Sequence, residues 1–596
     1  MIEAAKLFGK SISNEVLDVN EATTLNEPSK QMNDGINAIE TCVDPLKEED
    51  KREENRTKID DTKALNRQNE ISLIFDIAEF MIVKHLPFNS ASDILEFAQK
   101  ISQKYSPELI NYSHTSSTTI TQVVKACIGD TLKSKIYKKL EESPFSILLD
   151  ASSDLYGDNY LTILVRYFEN PFYPPVTKFI AAIEIGASSI GEVLYEKVKE
   201  EIFGSEFNVT TNLIAICTDG GSNMISSKGA GLTNKLQDTI SSLVHVSDVC
   251  HAYNRIAEEA TKHFPKYIID FLKDVCSFIT RSVQRKMKFK ELQIMKRKVN
   301  PSFNPNEVEE VPVFKEIRWL SLCKVANYVS FHWNDLKEFY QAQDTDIKDN
   351  FTPDYQLYID LLALLLKKLH YYTQHFQNGT FLMNHVISQL KISYSEFVAY
   401  ILKSPYDRPE KEANYFEIVY PLSLEVGSHS LKSIIEFKDF FFTKFESFKI
   451  EIEKLVLTKP NFEFEFLKVA KDFITTTVSQ MKERLLFKNE IIMQSLISYW
   501  PSICEKNTWS SLAKKFPYII TNVSDFESEL DRFCACYGYL RPSQEKPPAS
   551  KITETWAAQE FEFPLITKLA RVLLVLPYTS AEVESTFSKF KVFKSP

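Results

Sequence analysis

The chain has 596 residues, a formal net charge of −10 and a pI of about 5.7. A single hydrophobic core is excluded at this length, because cores stop growing at roughly 250–300 residues. The acidic balance excludes a basic coat over the whole surface, so any contact with nucleic acid has to come from local patches.

Residues 1–68 are polar and acidic, with KEEDKREENRTKIDD in their second half, and read as a disordered acidic tail. Residues 69–140 read as an N-terminal helical element. Its helices are EISLIFDIAEFMIVKHL, then SASDILEFAQKI with Ser90 as its cap, then TTITQVVKACIGDTLKSKIYKKLEE.

From 141 to 262 the pattern changes to strands. FSILLDASSD (145–154) is an apolar run ending at Asp150, NYLTILVRYFEN (159–170) is its hairpin partner, and TKFIAAIEIG (177–186) is a third strand. A helix, SIGEVLYEKVKEEIF (189–203), leads to LIAICTDGGSN (213–223), where a buried strand surfaces at Asp219 and two glycines free the backbone to turn. A helix follows at GLTNKLQDTISS, with Leu232, Leu236 and Ile240 on one face, and VHVSDVCHAYNRIAEEA reads as a strand running into a helix at His251. This order makes a mixed α/β sheet with aspartates at its strand ends, where open sheets place their sites. Paired carboxylates there could hold divalent cations through oxygen ligands. Each aspartate taken alone reads better as the start of a turn.

Residues 263–555 read as helices almost throughout, as in LYIDLLALLLKKLHYY and FEFLKVAKDFITTTVSQMKERLL, whose apolar residues recur at i, i+3, i+4 and i+7. Within them, RSVQRKMKFKELQIMKRK (281–298) carries eight Lys/Arg against one Glu. Arg285, Lys286, Lys288, Lys290, Lys296, Arg297 and Lys298 are therefore candidates for a phosphate-contacting face or an import signal, with a solvated helix face as the alternative. Residues 556–596 bring an apolar helix with Leu565, Leu569, Val572 and Leu573 on one side. After Pro577 a second helix starts, with Ser580 as its cap.

Nine cysteines show no CxxC pair and no zinc-ligand spacing, so free thiols in a reducing compartment are expected. The N-terminus has no signal layout and no uncharged apolar run approaches about 18 residues, so a soluble intracellular protein is expected.

FSILLDASSD, AICTDGGSNM, RWLSL and LPYTSAEVESTFSKF, in that order, resemble the successive motifs of hAT-family transposases. The resemblance implies an α/β RNase H-like core interrupted by a large all-α insertion, predominantly helical overall. The core's first part would be 141–262, the insertion 263–555, and 556–596 the core return and dimerisation region. It implies Asp150, Asp219 and Glu584 as catalytic acids and metal ligands for Mg²⁺ or Mn²⁺, with Asp154 standing in if Asp150 is misassigned. Glu584 matches the family pattern by preceding Ser585-Thr586-Phe587-Ser588. Arg318 and Trp319 would contact DNA, the ring serving to hold an unstacked base.

The implied partners are DNA and further copies of the chain, as a homodimer or higher homo-oligomer, with no membrane and no small-molecule substrate. The implied location is the nucleus. The sequence departs from the family in three ways. No N-terminal zinc finger is found, the tail stops about a dozen residues past Glu584, and Asp248 stands where the family's Cys-x-x-His site has its cysteine, with His251 as the histidine and Cys250 out of register. Two readings stay open: a cut-and-paste transposase using two-metal-ion chemistry, and a domesticated, non-catalytic nuclear scaffold that binds DNA or protein and dimerises through its C-terminus.

Overall fold

The computed structural model describes residues 73–82, 86, 90–105, 116–122, 124, 129–153, 158–186, 190–204, 209–226, 228–297, 308–313, 321–343, 345–378, 381–402, 431–488, 506–537, 551–583 and 586. The acidic segment 1–68, Asp154, Lys298, Arg318, Trp319 and Glu584 lie outside these residues. The described residues are predominantly helical and carry one small mixed sheet. They divide into two compact units, a smaller one of 73–138 and a larger one of 139–153 with 158–583.

The smaller unit is helical, as its sequence implies. Helix α1 covers 73–82, α2 is Ala91–Tyr105 and α3 is Ser117–Gln122. Ile77 and Met81 of α1, and Ala91 and Leu95 of α2, repeat at i, i+4 and are buried with Ile120. Of the long helix expected from TTITQ to KKLEE, α3 and α4 (Asp130–Glu142) are α-helical, and Val124 and Gly129 between them belong to a wider, π-helical turn. Asp130 in the first turn of α4 complements the positive end of the helix dipole.

In the larger unit the strands are β1 (Phe145–Ser153), β2 (Asn159–Tyr167), β3 (Val176–Glu184), β4 (Leu213–Thr218) and β5 (Val244–Ser247). Their order across the sheet is β3-β2-β1-β4-β5. The hairpins β1–β2 and β2–β3 are antiparallel, whereas β1–β4 and β4–β5 are parallel. Parallel neighbours need a crossover. One is supplied by α5 (Gly191–Val198, continued by a wider turn at Lys199–Phe203), the other by α6 (Leu232–Thr239). Every residue of β4 is buried, as its unbroken apolar run requires of a central strand.

The sheet leads into a helical block. Helix α7 (Val249–Thr261) packs against α12 (Pro353–Asn378) and α16 (Phe462–Arg484). Between them in sequence come α8 (Lys266–Thr280), α9 (Val283–Arg297), α10 (Ser321–Phe331), α11 (Trp333–Gln341), α13 (Met383–Ile401), α14 (Ile434–Lys444) and α15 (Glu446–Val456). Their aromatic rings join one core with the sheet residues Leu148, Cys217 and Val246. Tyr253 of α7 shares a buried hydroxyl contact with Ser393 of α13, and the Tyr340 hydroxyl donates to the Val275 carbonyl at 2.7 Å.

The last helices are α17 (Lys506–Lys515), α18 (Val523–Tyr537), α19 (Ile552–Gln559) and α20 (Pro564–Leu574). Trp509, Phe533, Trp556 and Phe563 are buried together, with ring centroids of Phe533 and Phe563 5.0 Å apart. Glu529 reaches from α18 to accept the Ile566 N–H at 2.8 Å, satisfying a first-turn donor of α20. Burial raises the pKa of this carboxyl. The segment after α20 comes back to the sheet, where the Ser146 hydroxyl of β1 donates to the Val575 carbonyl at 2.9 Å.

Candidate active site at the end of the parallel strands

Asp219 follows β4 directly and is half-buried. Its Oδ1 accepts the Gly221 N–H at 3.0 Å, so the turn itself orients the carboxylate. Gly220 has φ +72, a conformation that penalises a side chain. A Cβ on Gly221 would lie 2.7 Å from Asn223 Oδ1 and 3.3 Å from Asp219 Oδ1. Both glycines thus serve the carboxylate's position.

Asp150 does not end its strand, as the apolar run suggested. It lies inside β1, which continues to Ser153, and pairs with Thr162 of β2. The extra length comes from the antiparallel β2, which carries β1 past the end of its parallel pairing with β4. That pairing matches Leu148 with Cys217. Two residues further along each chain come Asp150 and Asp219, and side chains two apart share a strand face. Consistently, the negative charges of Asp219 and Asp150 both act on the Cys217 thiol, which burial first of all raises well above the thiol range.

Three more groups surround this end of the sheet. The Thr218 hydroxyl and His245 Nε2 are 3.0 Å apart. Burial lowers the His245 pKa to about 4, with Asp219 opposing that shift. The third group is Asp248, fully buried in the turn from β5 to α7, whose backbone N–H donates to the Thr218 carbonyl at 2.9 Å. Its Oδ1 accepts the His251 N–H at 2.6 Å, capping α7. Its Oδ2 accepts from the Thr579 hydroxyl at 3.0 Å, the Ser580 hydroxyl at 2.7 Å and the Ser580 N–H. Although burial raises this carboxyl, the bonds and charge of His251 and the Ser580 N–H bring its pKa down to about 2.

The tail therefore reaches the sheet. Tyr578 accepts the Val249 N–H through its carbonyl at 3.0 Å, and Val583, the residue before Glu584, is buried. The Ser580 hydroxyl also donates to Asp248. Sequence reasoning took Asp248 only as a departure from a family pattern. A strand followed by Asp and an amphipathic helix does signal a cap, but no local signal reveals a partner 332 residues away.

Asp150 and Asp219 offer the hard oxygen donors that Mg²⁺ and Mn²⁺ prefer. Both oxygens of Asp248 already accept hydrogen bonds, which makes it a poor further ligand. Among the described residues no group of three His, Cys, Asp or Glu stands close enough to hold a metal ion, Glu584 being outside them. The six described cysteines form no disulfide among the described residues.

The basic helix is α9. Lys286, Lys288 and Lys290 are exposed, but Arg285, Lys296 and Arg297 are engaged within the fold. Lys296 pairs with Asp335 at 3.0 Å and Glu338 at 2.6 Å, and Arg285 donates to the Phe278 carbonyl at 2.9 Å while lying 3.7 Å over its ring. Arg297 lies 3.3 Å from His332 Nδ1.

The apolar side of α20 is interior. Leu569, Val572 and Leu573, with Leu576 beyond the helix, are buried within the single chain, whereas Leu565 is only half-buried. Phe561, in the turn before α20, is fully exposed.

A model of the hAT family C-terminal dimerisation region matches residues 529–595, and a model described as ZMYM1/FAM200, RNase-like domain matches residues 30–228. The first covers α20 and the returning tail, the second β1 to β4. No curated protein matches the chain. The dimerisation-region match, with the RNase-like match ahead of it and the ordered motifs between, supports a hAT-family, transposase-derived protein.

Proposed function

We propose that the larger unit is an RNase H-like transposase core interrupted by the helical block, and that it cuts and joins DNA strands in the nucleus. The observation that carries this reading is the parallel register of β1 and β4, which brings Asp150 and Asp219 to one end of the sheet where the tail preceding Glu584 also arrives. Asp150, Asp219 and Glu584 would hold Mg²⁺ or Mn²⁺, which when bound supplies activation of water or a 3′-hydroxyl and stabilisation of the leaving oxygen. The protein's own part is orientation. The Gly221 N–H fixes one oxygen of Asp219, and the β1–β2 pairing keeps Asp150 on a rigid strand rather than a loop. Lys286, Lys288 and Lys290 would meet phosphates, and Arg318 and Trp319 a distorted or unpaired base.

A nicking assay on supercoiled DNA with Mn²⁺ tests it. Asp150→Ala and Asp219→Ala should each lower cutting by at least about a hundredfold while leaving DNA affinity intact. Cutting that survives both substitutions would overturn the catalytic reading.

The dimerisation-region match favours a second reading, since assembly needs no catalysis: a non-catalytic scaffold that dimerises and binds DNA or protein. DNA binding and dimerisation without metal-dependent cutting would select it.

A further inference from the structure

We propose that Asp248 is a latch, a positioning residue that holds the C-terminal tail against the end of the catalytic sheet and so sets where the third acid stands. The proposal rests on the catalytic reading for its consequence but not for its geometry. A helix cap needs one carboxylate oxygen, and Oδ1 does that work by accepting the His251 N–H. The other oxygen is turned across the fold and collects two hydroxyls and one backbone N–H from Thr579 and Ser580. Those donors lie five and four residues before Glu584.

The anchor is also close to the other acids. The Asp248 N–H is bonded to the Thr218 carbonyl, one residue before Asp219, and the Asp248, Asp219 and Asp150 charges all reach the Cys217 thiol. Val249, the next residue, adds a backbone bond to the Tyr578 carbonyl. A single buried carboxylate thus ties the end of β4, the start of α7 and the returning tail into one hydrogen-bonded unit. An asparagine there could serve the cap or the tail, not both, because its amide keeps one oxygen acceptor while its NH2 only donates.

The test uses the full chain with Asp248→Asn, Ser580→Ala and the pair together. Hydrogen–deuterium exchange of the tail peptide spanning 576–586 should speed up by on the order of tenfold in Asp248→Asn, while β1 and β4 keep their protection. Ser580→Ala should speed exchange in the wild-type background and add little in Asp248→Asn, since the two partners share one interaction. Mn²⁺ affinity should fall by about 10–100-fold, the range for residues that orient metal ligands, with the Michaelis constant for DNA unchanged and excess Mn²⁺ restoring cutting. A purely structural loss would not be rescued by metal. Unchanged tail exchange in Asp248→Asn, or equal Ser580→Ala effects in both backgrounds, would overturn the latch. Tail release with undiminished Mn²⁺ affinity would overturn its positioning role. A wild-type chain that neither binds Mn²⁺ nor cuts DNA overturns the catalytic reading alone, and the exchange data still decide the latch.

Discussion

At the scale of single residues, two buried groups beside the parallel strands give the site a stepped response to acid. His245 has its pKa lowered to about 4 from an ordinary 6.5, so below pH 6.5 the unfolded chain takes up a proton that the folded chain refuses. Stability is therefore lost as pH falls from about 6.5 to 4. Asp248, held near 2 against an ordinary 3.8, adds stability present above pH 3.8 and lost as pH falls toward 2. The first step corresponds to about 3–4 kcal/mol and the second to about 2–3 kcal/mol. Denaturant titrations at pH 7, 4.5 and 2.5 should show the first loss blunted in His245→Gln and the second in Asp248→Asn. Identical pH curves for all three proteins would contradict this account. The turn at Asp219 was legible because Asp-Gly turns are local patterns, whereas the place of Asp150 inside β1 depends on its pairing with β2. Asp248 was not, because its meaning lies in a bond to residues at the far end of the chain.

At the scale of elements, α20 illustrates what periodicity can and cannot say. Its apolar stripe was evident in the sequence, but periodicity does not tell a stripe that meets its own core from one that meets another molecule. In the fold the stripe is interior. Leu569→Ala should accordingly cost about 2–5 kcal/mol in stability, measured by chemical denaturation, and leave the oligomeric state alone. A similar gap separates the composition of α9 from its role. Its charge run was plain, yet Lys296 is occupied by Asp335 and Glu338 on α11 and Arg285 by Phe278, contacts that only the tertiary structure creates. Replacing Lys286, Lys288 and Lys290 with Gln should weaken DNA binding and flatten its salt dependence by up to about three contacts' worth. Replacing Lys296 should instead lower stability, by the modest amount typical of exposed pairs. Fluorescence anisotropy across a salt series separates the two.

At the scale of the whole molecule, the mixed α/β character of the sheet was legible from its hairpin spacings and helical crossovers, whereas the strand order β3-β2-β1-β4-β5 came from the structure. Self-association through the C-terminal region, which the resemblance implied, agrees with the dimerisation-region match, but the residues that make it were not legible, since most of the apolar stripe of α20 is buried. The dimerisation-region match still calls for a surface, and Phe561 in the turn before α20 is the large apolar side chain most plainly offered there. Phe561→Asp should yield a monomer by light scattering with an unchanged melting temperature. A dimer that persists in this variant would move the interface elsewhere in 529–595.

The bond between Ser146 and Val575 joins positions 429 residues apart. On a ribosome working at roughly 5–20 residues per second, the first partner waits on the order of 20–90 s for the second to be made. Throughout that interval the strands can pair but the tail is not yet present to close over them. A chain stopped before its last few dozen residues therefore leaves the Ser146 hydroxyl of β1 without the acceptor that the full chain supplies, so the sheet gains this contact only once synthesis is nearly complete.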